Sequence, residues 1–206
     1  MSTRLIFIRH AQSTWNEAGR WQGHADPPLT ENGRKQAELL ARRLSNWGVN
    51  HLYASDLNRA ATTAAIIAER LSITPVIDAI WRERGIGAME GLTTEEVISR
   101  FPDAWASRLN GPMDSIPGAE PSEAVLRRAA VGCDGLLSRH SGETVIVVSH
   151  GGMIVATLVH LLGLPPVGFA RLVGGRHTAI SQVIVEDGHA LLTGLNDTAH
   201  LELLIE

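Results

Sequence analysis

The chain of 206 residues holds a single cysteine, Cys133, so no internal disulfide can brace it. That usage suits a reducing compartment, and a cytoplasmic location is expected. A long basic run is missing and the net charge is −4, which argues against nucleic acid as a partner. No apolar stretch approaches the length of a membrane span, so no membrane partner is expected either. The first apolar run, Leu5 to Ile8, is too short for a secretory leader and meets Arg9 and His10 at once. Linkers, repeats and low-complexity tracts are absent, which predicts one domain over residues 1–206. The P-loop pattern, Gly-x-Ser-x-Gly, His-Glu-x-x-His and paired cysteines are all missing. No metal site and no cofactor are therefore expected, although nine histidines is a high count.

What is present begins with Arg4-Leu-Ile-Phe-Ile-Arg-His10. The apolar core of this stretch suits a buried strand. It ends in Arg9 and His10, where burial without a partner would be costly. In open α/β sheets, ligands bind at the carboxyl ends of strands. A Gly- and Pro-marked loop, 19–28, follows. Thr30 then reads as the N-cap of a helix running to Trp47, with Ala37, Leu40, Ala41 and Leu44 on its apolar face and Gly48 at its end. A second strand, His51 to Ala54, runs into Ser55-Asp-Leu-Asn-Arg59 and an Ala-rich helix. Ser55 or Asp56 is expected to cap that helix. Arg59 then lies in its first turn, where backbone N–H groups already favour an anion.

Residues Ile73 to Ile77 read as a third strand, and Glu83 follows between Arg82 and Arg84. An irregular helical stretch, Thr94 to Arg108, precedes a Pro- and Gly-rich loop, Asn110 to Pro121. Ser122 is expected to cap a long helix whose apolar face includes Val125, Ala129, Cys133 and Leu136; Cys133 is then a packing residue rather than a reactive thiol. Thr144 to Val148 is the strongest strand, and it ends in Ser149-His150-Gly151-Gly152 before another helix. Two strands thus present a histidine in the same way. Two alternating segments about Asp187-Gly188 predict a closing hairpin.

Strand–helix alternation predicts an α/β fold: a three-layer sandwich with a mostly parallel central sheet and helices on both faces. The first, second, third and fourth strands would share one direction. Arg9, His10, Ser55, Arg59, Glu83 and His150 would then gather at one edge. Two arginines and a histidine can neutralise a phosphoryl dianion. The second histidine can attack phosphorus, and the carboxylate can protonate a leaving alkoxide. The arginines supply positive charge, so this chemistry needs no metal.

Arg9-His10-Ala11-Gln12-Ser13-Thr14-Trp15-Asn16, Gln22-Gly23, the run Pro28 to Arg34, Ser55 to Arg59, Glu83, Glu90 to Thr93 and Ser149-His150-Gly151 together resemble the histidine phosphatase superfamily, also called phosphoglycerate mutase-like. The resemblance covers nearly the whole chain. It implies His10 as the phosphorylated nucleophile, Arg9, Arg59 and His150 as the phosphate pocket, and Glu83 as proton donor. It also implies supporting contacts from Asn16, Gln22, Gly23 and the Gly151 backbone. Ala11 departs from the glycine usual after the nucleophile. A small-molecule phosphate ester is the expected substrate, with Arg20, Trp21, His24, Arg82, Arg84 and Trp105 as candidates to meet its remainder, Trp105 reading better as packing. Oligomeric state is unassigned. The short cap region, about residues 84–121, and the similarity of Asn196 to His200 to the phosphatase branch favour a phosphomonoester hydrolase over a cofactor-dependent phosphoglycerate mutase. A non-catalytic phospholigand-binding protein would have no use for Glu83, and a metal hydrolase has no motif in its favour.

Overall fold

Leu5 and Phe7 face one side of a strand and Ile6 and Ile8 the other, and all four are buried, so this strand is covered on both faces. The computed structural model describes residues 1–108, 113–166, 172 and 174–204. Strand β1 (Thr3–Arg9) lies inside a six-stranded sheet of order β3-β2-β4-β1-β5-β6. β2 (His51–Ala54), β3 (Val76–Ile77) and β4 (Thr144–Ser149) run parallel with β1. β5 (Ile180–Glu186) and β6 (His189–Asp197) form the antiparallel hairpin at the other edge. The hairpin turns at Asp187 and Gly188, whose φ values of 49° and 78° are those of a tight primed turn.

Period-two alternation sorts the core into two halves. Leu5, Phe7, Tyr53, Val145 and Val147 pack with α6 (Ser122–Arg139) and α7 (Gly151–Leu161). Ile6, Ile8, Leu52, Ala54, Ile146 and Val148 pack with α2 (Glu31–Leu44) and α3 (Asn58–Leu71). The fold is therefore the expected α/β three-layer sandwich. Cys133 sits in the first half-core, where burial pushes its thiol pKa up to about 12 and leaves it a packing residue. No helix among the described residues is long and apolar enough to cross a membrane.

Several local expectations need correction. The third strand shrinks to Val76–Ile77, both exposed, because only two residues find partners on β2. Helix α2 stops at Leu44, short of Trp47. The residue at the N-cap of α3 is Leu57 rather than Ser55 or Asp56. Ser55 instead accepts the Leu57 N–H, while Asp26 from a distant loop accepts the Asn58 N–H. Asp56 is taken by a bidentate pair with Arg82. Ser122 does not cap α6; Pro121 is at the N-cap, and the Ser122 hydroxyl donates to Asp114. At Asn58, Asp56 and Ser122 a partner from elsewhere in the chain overrides the local signal.

The expected helical stretch at 94–108 is two helices, α4 (Thr94–Arg100) and α5 (Pro102–Ser107), separated at Phe101, which precedes a proline. The remaining helix, α1 (Thr14–Glu17), is one turn capped by Ser13. Met89, Val97, Ala104 and Ile116 form a small core of their own, with Trp21 and Trp105 packed against it. Trp105 stands edge-on to Trp21 at 6.5 Å, the packing role expected of it. Within the loop expected over 110–121, residues 110–112 lie outside the described ones, and the rest is turns closed by Ile116.

Candidate active site

Parallel β1 and β4 are paired in register, Arg9 opposite Ser149, so His10 and His150 leave neighbouring strands side by side. Their ring centroids are 5.1 Å apart and both are almost fully buried. His10 Nδ1 lies 2.7 Å from the Ala11 carbonyl. A carbonyl only accepts, so Nδ1 carries the proton and Nε2 keeps its lone pair. His150 has the opposite tautomer. Arg59 Nε–H donates to its Nδ1 at 3.2 Å, so the proton sits on Nε2, which is buried without a partner. Burial first, then the Arg59 charge, holds both imidazoles well below their ordinary pKa and keeps them neutral.

Arg59 is 1% exposed, and the charges of Glu83, Asp26 and Glu90 oppose the cost of burying it. Its two terminal nitrogens donate to the carbonyls of Ala25 at 2.7 Å and Gly23 at 2.8 Å. Burial lowers its pKa to about 10, which leaves it charged at neutral pH. Three of its five N–H groups are used by the protein, and two remain for a ligand. Arg9 donates to the Gly175 carbonyl through Nη1 and keeps its Nε–H buried and unpartnered. Glu83 stands across the same pocket. Its Oε1 accepts the Arg84 N–H at 2.8 Å, and its Oε2 accepts the Gly152 N–H at 3.2 Å, at the start of α7.

Arg9, His10, Arg59 and Glu83 line a pocket of about 530 Å³ with Asn16, Gln22, Gly23 and Gly151. Every catalytic or phosphate-binding candidate implied by the resemblance lines this pocket except His150, which packs against His10. Ser55 is buried in the turn before α3 and does not line it. Of the candidates for the substrate's remainder, Arg20, Trp21 and Arg84 line the wall, with Ile86, Thr94 and Met113. His24, Arg82 and Trp105 do not: His24 Nε2 bonds the Glu83 carbonyl and Arg82 is held by Asp56. Arg20 and Arg84 already face Glu96 and Asp114 respectively. Ala11 fits without strain: its φ is not positive, and it is buried with Leu29 and Ala37.

Sequence reasoning missed the residues that aim these groups. Asn16 Oδ1 accepts the Ser13 backbone N–H at 3.1 Å and Gln22 Oε1 accepts the Ser13 hydroxyl at 2.8 Å, so both amides turn their oxygens to Ser13 and keep their NH₂ groups for the pocket. Arg128 of α6 holds the carbonyls of Ile80 and Arg82 at 2.8 and 2.7 Å, bracing the segment before Glu83. At Gly152 an added Cβ would lie 2.6 Å from Glu83 Oε1, so the missing side chain is what lets Glu83 sit on the α7 start. His177 stands 6.2 Å from His10 by ring centroid. None of these pairs has a local signature; the His150-Gly151-Gly152 run at a helix start was the nearest hint. Among the described residues, only His51, His140 and Glu143 bring three ligand atoms of metal-binding type together, at the opposite end of the sheet.

The profile of the histidine phosphatase superfamily, branch 1, matches residues 5–198. A Yersinia pestis protein named probable phosphoglycerate mutase GpmB is 35% identical over 206 residues, covering 97% of this chain and 95% of its own. A mycobacterial glucosyl-3-phosphoglycerate phosphatase structure superposes with a TM-score of 0.87 at 28% identity, covering 95% of this chain and 99% of that one. An Entamoeba histolytica phosphoserine phosphatase, solved in complex with 3-phosphoglyceric acid, gives a TM-score of 0.85 at 30% identity, covering 97% and 99%. Paired histidines at adjacent strand ends, one buried and one half-buried arginine and a carboxylate on a helix start agree with that match, and the chain belongs to the histidine phosphatase superfamily, branch 1.

Proposed function

We propose that the protein is a phosphomonoester hydrolase that acts on small phosphorylated metabolites through a phosphohistidine at His10. The observation that carries this reading is the pairing of a free His10 Nε2 with buried, unpartnered donors, Arg9 Nε and His150 Nε2. Buried donors without partners cost about 1–3 kcal/mol each, which a phosphoryl oxygen would recover. With Arg59, they offer a dianion two full charges and forked N–H groups.

His10 Nε2 attacks phosphorus as the ester P–O bond breaks. Glu83 acts as the general acid and gives a proton to the leaving alkoxide. The resulting carboxylate then takes a proton from water as that water attacks phosphohistidine, releasing phosphate and restoring His10. Arg9, Arg59 and the His150 Nε2–H stabilise the equatorial oxygens in both steps. The Asn16 and Gln22 amides and the Gly151 N–H add neutral donors, and Gly23 holds Arg59 through its carbonyl.

A phosphoglycerate mutase would use the same groups, and the Yersinia relative's name favours that second reading. It would have to exclude water while an intermediate reorients, which requires a closing lid. Among the described residues, the cap over 84–121 holds two α-helices of only seven and six residues, and of their residues only Thr94 lines the pocket. This supports hydrolysis, as do the solved structures named as phosphatases. The test supplies 3-phosphoglycerate with catalytic 2,3-bisphosphoglycerate and follows free phosphate and 2-phosphoglycerate. Phosphate release from this or other monoesters with negligible 2-phosphoglycerate is expected. Fast interconversion with almost no phosphate overturns the reading.

A further inference from the structure

At the end of the sheet away from the pocket, three side chains converge. His51 opens β2, His140 follows α6, and Glu143 precedes β4. Register places His51 opposite Val145, two residues after Glu143. His51 Nε2 lies 2.9 Å and His140 Nδ1 3.0 Å from one carboxylate oxygen, Glu143 Oε2. The two imidazoles stack at 4.0 Å between centroids, so both present a nitrogen to the same spot. Those three atoms all lie within 4.8 Å of one another.

We propose that His51, His140 and Glu143 form a binding site for a divalent transition-metal cation of the zinc class, separate from the catalytic pocket. Two imidazoles and one carboxylate are a donor set that zinc takes, with bonds of about 2.0–2.2 Å. Tetrahedral bonds of that length hold ligand atoms about 3.3 Å apart, so each imidazole need move from Glu143 Oε2 by only a few tenths of an ångström. Solvent takes the fourth position, since His51 and Glu143 are each 38% exposed and leave an entry path. The second shell is in place. His140 binds through Nδ1 and turns Nε2 to the buried Tyr53 hydroxyl at 2.8 Å. Metal-binding histidines characteristically use their other ring N–H in this way.

Proton bookkeeping is simple. Without metal, both imidazoles donate to Glu143, so His51 carries its proton on Nε2 and His140 on Nδ1. On binding, each ring frees the nitrogen that faced Glu143 and carries its proton on the other one. The His140 proton then sits on Nε2 and donates to Tyr53, whose hydroxyl rotates from donor to acceptor. The six residues of β4 put roughly 20 Å between this cluster and His150. The cation would therefore join the starts of β2 and β4 to the end of α6 without entering the phosphoryl chemistry.

The full chain, freed of metal by chelator dialysis, is titrated with zinc against a chromophoric chelator of known affinity. One equivalent is expected at the cluster. His51→Gln and Glu143→Gln should each weaken it at least tenfold, the lower end of what disturbing even an outer-shell partner costs. Both side chains are partly exposed, so both variants should fold and keep wild-type phosphatase turnover. Cobalt in place of zinc should give the visible absorption of a tetrahedral site in the wild type and not in the variants. Saturating zinc at about 100 times its Kd should raise the wild-type Tm by roughly 5–10 °C and that of His51→Gln by far less. Equal zinc affinity in wild type and both variants overturns the proposal and leaves the cluster a hydrogen-bonded brace. Binding lost in His10→Ala but kept in His51→Gln also overturns it, placing the cation among the pocket histidines.

Discussion

Replacing Gly152 with Ala tests the placement of the acid without touching any charged group. The new Cβ would lie 2.6 Å from Glu83 Oε1, against an ordinary contact of 3.4 Å. The carboxylate must retreat by the difference, about 0.8 Å. That movement strains its bond to the Gly152 N–H and turns it from the leaving oxygen. Misplacement of a reacting group by about 1 Å can cost 10²-fold in rate. A loss of roughly 10²-fold in kcat/KM, about 2.7 kcal/mol, is expected for an alkyl phosphate. An aryl phosphate, whose leaving oxygen barely needs a proton, should lose much less. Stability should move the other way. Gly152 lies inside α7 without a positive φ, and alanine is preferred over glycine in a helix by about 0.5–1 kcal/mol. A variant that melts no lower than wild type, yet loses activity selectively on alkyl esters, would meet the expectation. Steady-state kinetics on both ester classes and a thermal melt decide it. Equal losses on both esters, or no loss on either, would refute the link between Gly152, Glu83 and the leaving group.

His10→Ala should abolish turnover while the melt stays cooperative, and rapid acid-free quench of wild type with labelled substrate should trap a phosphoenzyme that the variant lacks. Arg59→Ala should weaken vanadate inhibition as well as turnover, because this guanidinium also orients His150; vanadate affinity unchanged from wild type would remove it from the pocket. Acid should destabilise the fold in a defined window. Burial pushes His177 and His200 down to about 4 from the ordinary 6.5, so the unfolded chain takes up protons there that the folded chain refuses. Their contribution is complete above pH 6.5 and declines as pH falls from 6.5 toward 4; a Tm flat across that interval would contradict it.

Much of the molecule follows from local pattern. Continuous apolar runs in β1 and β4 demanded cover on both faces, which made a parallel three-layer fold the natural solution. Strands that end in Arg9-His10 and Ser149-His150 put those side chains at a carboxyl edge, and Arg59 in the first turn of α3 joined them. Residue type and period sufficed there because backbone geometry converts them directly into direction. The tertiary structure decided what depends on partners far along the chain. Leu57 stands at the N-cap of α3 because Ser55 bonds within the turn and Asp56 is drawn to Arg82. Ser13 aims two amides, Arg128 braces the Glu83 segment, and Gly152 makes room for the carboxylate. His51 meets His140 and Glu143 only through the pairing of β2 with β4. Such contacts join residues tens of positions apart, and no periodicity or propensity encodes them; they come into being when the sheet register and helix packing are set.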